Sequence, residues 1–354
     1  MSTPPPGWPA PQGGYPPGYP PHPGYPPPYP GYPPPYPGYP PVPGGPQLWR
    51  PGVIPLRPLS LSDVFNGAVN YIRTNPLATL GLTTLIVVVT STLDLALELG
   101  QPALGGDAGL LAALLTTAAV TALATILLSG MLTVVVARAV LGSSITIAEA
   151  WARVRRRLPA LIALSLLEIS AVAVLVAVAV LLIATVAGAA NSAIAAVVGV
   201  PLTLTTLAVI AYLITVLAFA PVAIVLERKP VAASVRRSFT LVRNRFWRIL
   251  GIRLLATLVA AVVSAAVLVP FVILGGALSM DPGAVGPGGV AAVLTAIGQA
   301  IGQIITAPFT AGVVVLLYVD ARIRSEAFDL VLQTGASPGR PAAHTDDLWL
   351  TTGR

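Results

Sequence analysis

The sequence predicts an all-α, polytopic membrane protein with six transmembrane helices. Of its 354 residues, 55% are hydrophobic and only 9% are charged, and the mean hydropathy is +0.82. A soluble domain carries about 25% charged residues. Uncharged stretches long enough to cross a bilayer, which needs roughly 20 apolar residues, lie at 74–93, 108–137, 169–226, 254–280 and 282–319.

The stretch 169–226 is long enough for two crossings, with the turn near 188–192. The other four stretches hold one crossing each. We therefore predict helices near 76–97, 110–138, 159–187, 200–226, 247–274 and 292–320.

The basic residues orient these helices. The loops 98–109, 188–199 and 279–291 contain no Lys or Arg, whereas 138–157, 227–253 and the C-terminal segment are rich in Arg. Because Lys and Arg accumulate in cytoplasmic loops, both termini are predicted to be cytoplasmic. The use of Arg with a single Lys, Lys229, is typical of a GC-rich bacterial genome. The expected location is therefore the bacterial plasma (inner) membrane.

A similar polar segment precedes each odd-numbered helix. In a gap-free alignment its apolar positions recur at i, i+4, i+7 and i+11, which is one face of a helix. Thr146 and Glu149 form a capping-box pattern, and Pro230 suits a first helical turn. The sequence therefore predicts three repeated units, each an amphipathic helix followed by a transmembrane hairpin. Alternatively, the segments are alike because all three lie on the same anionic leaflet. The three polar segments are residues 59–76, 143–159 and 229–247.

The first 46 residues form a low-complexity tail that holds 22 of the 37 prolines and 7 of the 10 tyrosines. Proline at this density excludes helix and sheet and favours extended polyproline II. The predicted organisation is a disordered cytoplasmic tail, a linker, the transmembrane domain and a cytoplasmic C-terminal tail, over 1–46, 47–58, 59–325 and 326–354. The tail is either a ligand strip for proteins with aromatic-lined grooves or a solvated spacer.

Several kinds of chemistry are excluded or unsupported. The chain has no Cys, and its two His, His22 and His344, lie in the tails. A thiolate or His-based catalytic or metal site in the body is therefore impossible, and no phosphate-binding glycine motif occurs. We predict a non-enzymatic protein without a metal or cofactor. Nucleic-acid binding is not expected, since membrane topology already explains the positive charge.

Ionisable and polar residues inside predicted helices mark a candidate intramembrane site, because such groups usually face the bundle interior. The alternatives are a polar cavity for an ion or lipid headgroup, a structural ion pair, or an arginine that reaches to the interface. Asp94 is expected to be merely interfacial. The candidate site residues are Glu168, Arg253, Gln299 and Gln303.

Two further sets are predicted from their surroundings. Gly298 and Gly302 form a GxxxG pattern that permits close helix packing. Arginines beside the predicted interface are candidate contacts for anionic lipid headgroups, each contributing about 1 kcal/mol. These are Arg153, Arg155, Arg156, Arg157, Arg236, Arg237, Arg243, Arg245 and Arg248.

Three stretches carry a family resemblance: RPLSLSDVFNGAVNYIRTNP after Leu56, APVAIVLERKPVAASVRRSFTLVRNRFWRILG from Ala220, and YVDARIRSEAFDL from Tyr318. Together they resemble the membrane domain of some bacterial glycerophosphoryl diester phosphodiesterases, which also occurs in stand-alone actinobacterial membrane proteins of unassigned function. The resemblance covers about 50–332 and implies a shared membrane scaffold. The catalytic half of those enzymes is a soluble barrel, for which this chain has no segment.

The leading functional expectation is a scaffold that organises the bilayer or partner membrane proteins and recruits proteins through its proline-rich tail. One alternative is a transporter or channel for a lipid or small solute that uses the candidate intramembrane site. A second is an accessory subunit of a phospholipid-processing enzyme, which follows from the resemblance alone. The sequence does not specify an oligomeric state.

Overall fold

The chain divides into two units, Met1–Gln47 and Leu48–Arg354. The computed structural model describes 52–104, 106–189, 192–279, 287–335 and 347–350, all in the second unit. The proline-rich tail predicted at 1–46 lies outside the described residues. No strand occurs in the described ranges, so the all-α prediction is confirmed.

Helices follow one another along nearly the whole described chain. A π-helical turn at Leu77–Gly81 opens the first long helix. The helices are α1 Leu61–Thr74, α2 Leu82–Leu104, α3 Gly106–Val140, α4 Ile147–Val154, α5 Leu158–Ala189, α6 Ser192–Leu217, α7 Ala220–Leu226, α8 Val231–Val242, α9 Phe246–Ser279, α10 Pro287–Glu326 and α11 Phe328–Gly335.

Six segments of the described chain are long and apolar enough to cross a membrane, as predicted. They are Leu77–Leu97, Leu115–Val140, Leu158–Gly188, Val197–Leu226, Phe246–Leu278 and Gly289–Glu326. Helix α10 is central, since it packs against α1, α2, α3 and α9. Helices α5 and α9 are peripheral, and they expose rows of Leu, Ile and Val that suit contact with lipid tails.

A short helix precedes each of the three hairpins. Thr146 and Glu149 form the predicted capping box of α4, and Ser60 and Asp63 form a second one at α1. Pro230 is the N-cap residue of α8, one position before the predicted first turn. Side chains thus cap the starts of α1 and α4, whereas α8 begins after a proline without a side-chain cap.

The aligned faces of the short helices agree in part. Of the four predicted positions, one is buried in all three helices: Tyr71, Val154 and Val242. At the first position Val64 is buried but its counterpart Ile147 is exposed. Trp151 and Phe239 are instead exposed, although their counterpart Ala68 is buried. The duplication itself stays a prediction.

The fourth span is not one continuous helix. It breaks between α6 and α7 because Pro221 lacks the N–H that would continue the helix. Ser238 of α8 bridges the break: its hydroxyl donates to the Val216 carbonyl and accepts from the Phe219 N–H at 3.1 Å. Pro201, Pro270 and Pro308 lie inside uninterrupted helices.

The described parts of the predicted linker and C-terminal tail pack against the bundle. Ile54 is fully buried, and the Val53 N–H donates to the Ala139 carbonyl at 3.2 Å. In the C-terminal segment, Trp349 is 2% exposed and its ring lies 5.3 Å from that of Phe328. Apolar residues in both segments therefore belong to the core rather than to free connections.

Candidate functional site

A cavity of about 1020 Å³ lies within the membrane-spanning bundle. All six spanning segments contribute to its wall. Ligand pockets for drug-sized molecules measure about 300–1,000 Å³, so this cavity is large enough for an organic solute or part of a lipid. The structure brings all four predicted site residues to it, Glu168, Arg253, Gln299 and Gln303.

Glu168 and Arg253 face the cavity from α5 and α9 as opposite charges. They are close enough for their charges to interact, yet no ion pair within 4.0 Å joins them among the described contacts. The direct ion pair that the sequence left open is therefore not formed. A ligand group can lie between two charges held apart in this way.

Arg253 also has a structural contact. Its Nη1 donates to the Ile214 carbonyl at 2.8 Å. This carbonyl belongs to the last turn of α6, and the following Ala218 N–H bonds to Thr215 instead, at 3.3 Å. Arg253 thus caps a helix end inside the bundle with one arm of a guanidinium that carries further N–H donors.

Two polar stripes run along the cavity wall. On α10, Gln299 and Gln303 belong to a row with Thr295, Thr306 and Thr310. On α3, hydroxyl residues recur every four positions at Thr121, Thr125, Ser129 and Thr133, over about 18 Å of helix. The recurrence of hydroxyl residues at every fourth position of α3 was visible in the sequence. It was missed because the candidate site was chosen from charged and amide residues only.

Asp94, which the sequence places near the interface, also belongs to the cavity wall. It lines the large cavity and also a neighbouring one of about 820 Å³ between α2, α3 and α5. Thr121, Thr125 and Glu168 line both cavities too. Asp94 is therefore a wall residue of the site, close to the end of the first span at Leu97. Its place was unpredictable because the inward face of α2 depends on how the hairpins pack.

Gly298 and Gly302 lie where α10 contacts α9. A Cβ at Gly302 would come 3.4 Å from the Cα of Ser264, and one at Gly298 would come 3.0 Å from the ring of Phe271. Small residues thus let the two helices approach closely beside the cavity, as the packing interpretation requires.

A second polar cluster lies outside the cavity, at the Arg-rich end of the bundle. The Glu227 carboxylate is fully buried and accepts from the Tyr318 hydroxyl and from Arg237 Nε at 3.0 Å, with Lys229 Nζ at 2.9 Å. Burial would raise the pKa of Glu227, but these hydrogen bonds and the charges of Arg237 and Arg322 outweigh it. The pKa of Glu227 therefore lies below its usual range, and the carboxylate is ionised at neutral pH.

The ion pairs extend from Glu227 to the C-terminal segment. Arg237 and Arg322 both pair with Glu326, the latter at 3.1 Å. Arg322 also donates to the Trp349 carbonyl at 3.1 Å and stacks 3.8 Å from the centre of the Phe328 ring. The network ties α7, α8 and α10 to the chain that follows them.

Asp320 organises a second group of ion pairs. It accepts from the Leu59 N–H at 2.7 Å, from Arg324 at 2.8 Å and from Arg248. Arg248 and Arg324 also donate to the Leu59 carbonyl, at 2.6 and 2.9 Å. The three stretches that carry the family resemblance therefore meet in these networks, which hold the bundle together.

The nine candidate lipid-contact arginines separate into three groups. Arg237 and Arg248 are held by Glu227, Glu326 and Asp320. Their guanidinium groups are engaged within the protein, so they are poor candidates for headgroup contact. Four others are exposed and suit it better, namely Arg155, Arg156, Arg236 and Arg243. The remaining three, Arg153, Arg157 and Arg245, are partly buried and donate to the backbone carbonyls of Glu149, Arg228 and Arg324.

No group of three or more His, Cys, Asp or Glu residues that could hold a metal ion occurs in the described part of the chain. The cavity offers isolated carboxylates, amides and hydroxyls.

The fold and the cavity define a polytopic α-helical membrane protein with a polar site inside the bundle. The chain belongs to the family described as "Domain of unknown function (DUF7847)", whose model matches residues 59–321. No curated protein and no solved structure matches the chain.

Proposed function

We propose that this protein binds a small solute or a lipid within the membrane and transports it or presents it to a partner. The observation that carries the proposal is the 1020 Å³ cavity, whose wall brings Glu168, Arg253 and the polar stripes of α3 and α10 together. Polar groups inside a membrane are costly, and a carboxylate or guanidinium there costs at least about 2.5 kcal/mol. Their convergence on one cavity supports ligand binding over chance.

The test is whether a molecule occupies this cavity. Protein would be purified from native membranes, and bound small molecules would be identified by mass spectrometry after denaturation. Ala296 lines the cavity, so Ala296→Trp would occupy part of its volume. Val178→Trp, on the exposed outer face of α5, is the matched control.

Wild type and Val178→Trp are expected to carry the same molecule, and Ala296→Trp to lose it. An equal amount in Ala296→Trp, or none in wild type, would count against the proposal. If a molecule is found, its flux in proteoliposomes with wild type and Glu168→Gln separates transport from static binding.

A second candidate function is the scaffold predicted from the tail. Its support is the repeat PGYPPPY at Pro23 and again at Pro30, which suits multivalent contact with aromatic-lined grooves. Deletion of 1–46 would then remove co-purifying proteins while leaving the cavity-bound molecule in place. A partner set unchanged by the deletion would reject a recruiting role for the tail.

The accessory role toward a phospholipid-processing enzyme rests on the resemblance to phosphodiesterase membrane domains. Co-purification of such an enzyme activity would support it.

In each version the chain itself is non-enzymatic, and both termini are cytoplasmic in a bacterial plasma membrane. Exposed arginines such as Arg155 and Arg236 contact anionic headgroups.

A further inference from the structure

Among the described residues, Asp94 is a charged group of the cavity wall that pairs with no cation. Glu168 faces Arg253, which offsets its charge. No described cation pairs with Asp94, and its Oδ1 is buried without a hydrogen-bond partner among the described residues. The sequence also has no Lys or Arg between Arg73 and Arg138, so neither α2 nor the spanning part of α3 can supply one.

The hydroxyls near Asp94 present oxygen lone pairs to the cavity. Thr125 donates its hydroxyl proton to the Thr121 carbonyl at 2.8 Å, and Thr90 donates to the Ile86 carbonyl at 3.0 Å. Because each proton is used within its own helix, the hydroxyl oxygens face a ligand as acceptors.

We infer that the ligand of this cavity is an amphipathic molecule with an ammonium group, which Asp94 and the hydroxyls of α2 and α3 bind. An ammonium supplies N–H donors and the positive charge that this part of the wall lacks. The cavity volume and the apolar residues between the polar stripes accommodate the rest of an organic molecule. The Oδ1 atom of Asp94 is buried without a partner, and a cationic group supplies the pairing that it lacks. The inference rests on the proposed function and specifies its ligand class.

The absence of Cys from the chain allows a direct test, since any introduced thiol is unique. Thr125→Cys places a thiol on the wall of both cavities. Its labelling rate would be measured with a trimethylammonium-bearing and a sulfonate-bearing methanethiosulfonate reagent of similar size, relative to free cysteine. Val178→Cys on the exposed outer face of α5 is the reference for a thiol that faces lipid.

The cationic reagent is expected to be favoured at least about tenfold over the free-cysteine ratio, a difference of about 1.4 kcal/mol. Adding Asp94→Asn should return the ratio to that of free cysteine, and adding Asp329→Asn, outside the spanning segments, should not. A ratio equal to free cysteine, or one unchanged by Asp94→Asn, would overturn the inference.

Failure of the proposed function gives a different result, namely wild-type protein that carries no bound molecule. A cavity in which neither reagent reacts with Thr125→Cys, as with Val178→Cys, would also count against it. If Asp94→Asn does not fold, a competition experiment takes its place. It uses Thr125→Cys protein that keeps Asp94 and measures whether an added ligand slows the labelling. Octylammonium should then slow labelling of Thr125→Cys, whereas octyl sulfate should not. Equal protection by the two probes would reject a preference for ammonium.

Discussion

Asp320 accepts a hydrogen bond from the backbone N–H of Leu59 at 2.7 Å, although 261 positions separate the two residues. The carboxylate also holds Arg248 and Arg324, which in turn bind the Leu59 carbonyl. One side chain therefore fixes the start of the helical body to the end of its last spanning helix. Because the acceptor is a carboxylate, each of these hydrogen bonds is charge-assisted and therefore stronger than a neutral one.

Asp320→Asn is expected to lower the free energy of unfolding by about 3–5 kcal/mol, because two arginines lose their counterion in a site where the carboxylate is 3% exposed. Asp347→Asn is the control, since its pair with Arg228 is exposed and contributes at most about 1 kcal/mol. Thermal unfolding in one detergent would compare them. Equal midpoints for the two variants would contradict the structural role of Asp320.

Gly312→Ala is expected to destabilise the contact between α1 and α10. An added Cβ would come 2.5 Å from the ring of Tyr71, which is fully buried and bonded to the Pro308 carbonyl. Overpacking of this kind costs about 1–3 kcal/mol. Gly251→Ala meets open space within a helix and should be neutral or stabilise by up to about 1 kcal/mol. Thermal unfolding of the pair distinguishes a clash from a general effect of replacing glycine.

Acid should destabilise the protein through Glu227. The pKa of Glu227 in the folded state lies below the ordinary value of 4.5. Its contribution to stability is therefore complete at pH values above 4.5 and is lost as the pH falls below it toward the folded-state pKa. Melting temperatures measured from neutral pH downward should fall through this contribution only once the pH drops below 4.5.

Glu227→Gln removes the titrating group, so the variant should be less stable at neutral pH and lose less stability on acidification. Because Asp and Glu elsewhere also titrate, the informative quantity is the difference between wild type and variant. A constant difference across the acid range would show that Glu227 does not contribute to the pH dependence.

Arg253→Met should cost about 1–3 kcal/mol, since the Ile214 carbonyl loses its donor within the bundle and Glu168 loses the facing positive charge. Adding Glu168→Gln should recover part of this loss, because the remaining uncompensated carboxylate is neutralised. A double-mutant cycle measured by thermal unfolding gives the coupling between the two sites. Strict additivity would mean that Arg253 acts only as the cap of α6.

The sequence by itself determined the number, type and approximate ends of the spanning helices. Each of the six predictions falls within several residues of the observed span, because roughly 20 apolar residues are needed to cross a bilayer wherever they occur in a fold. It also identified Glu168 and Arg253 as candidate site residues, because an ionisable group inside an apolar run is costly in any arrangement.

Only the tertiary structure decided which side chains meet. Three features depend on how the hairpins pack. They are the position of Asp94 in the cavity wall, the break between α6 and α7, and the burial of Glu227 beside Tyr318. Local sequence fixes hydrophobicity and helix length, but it does not fix the rotation of one helix about its axis relative to another. That rotation is set by contacts between residues far apart in the chain, as Leu59 and Asp320 show.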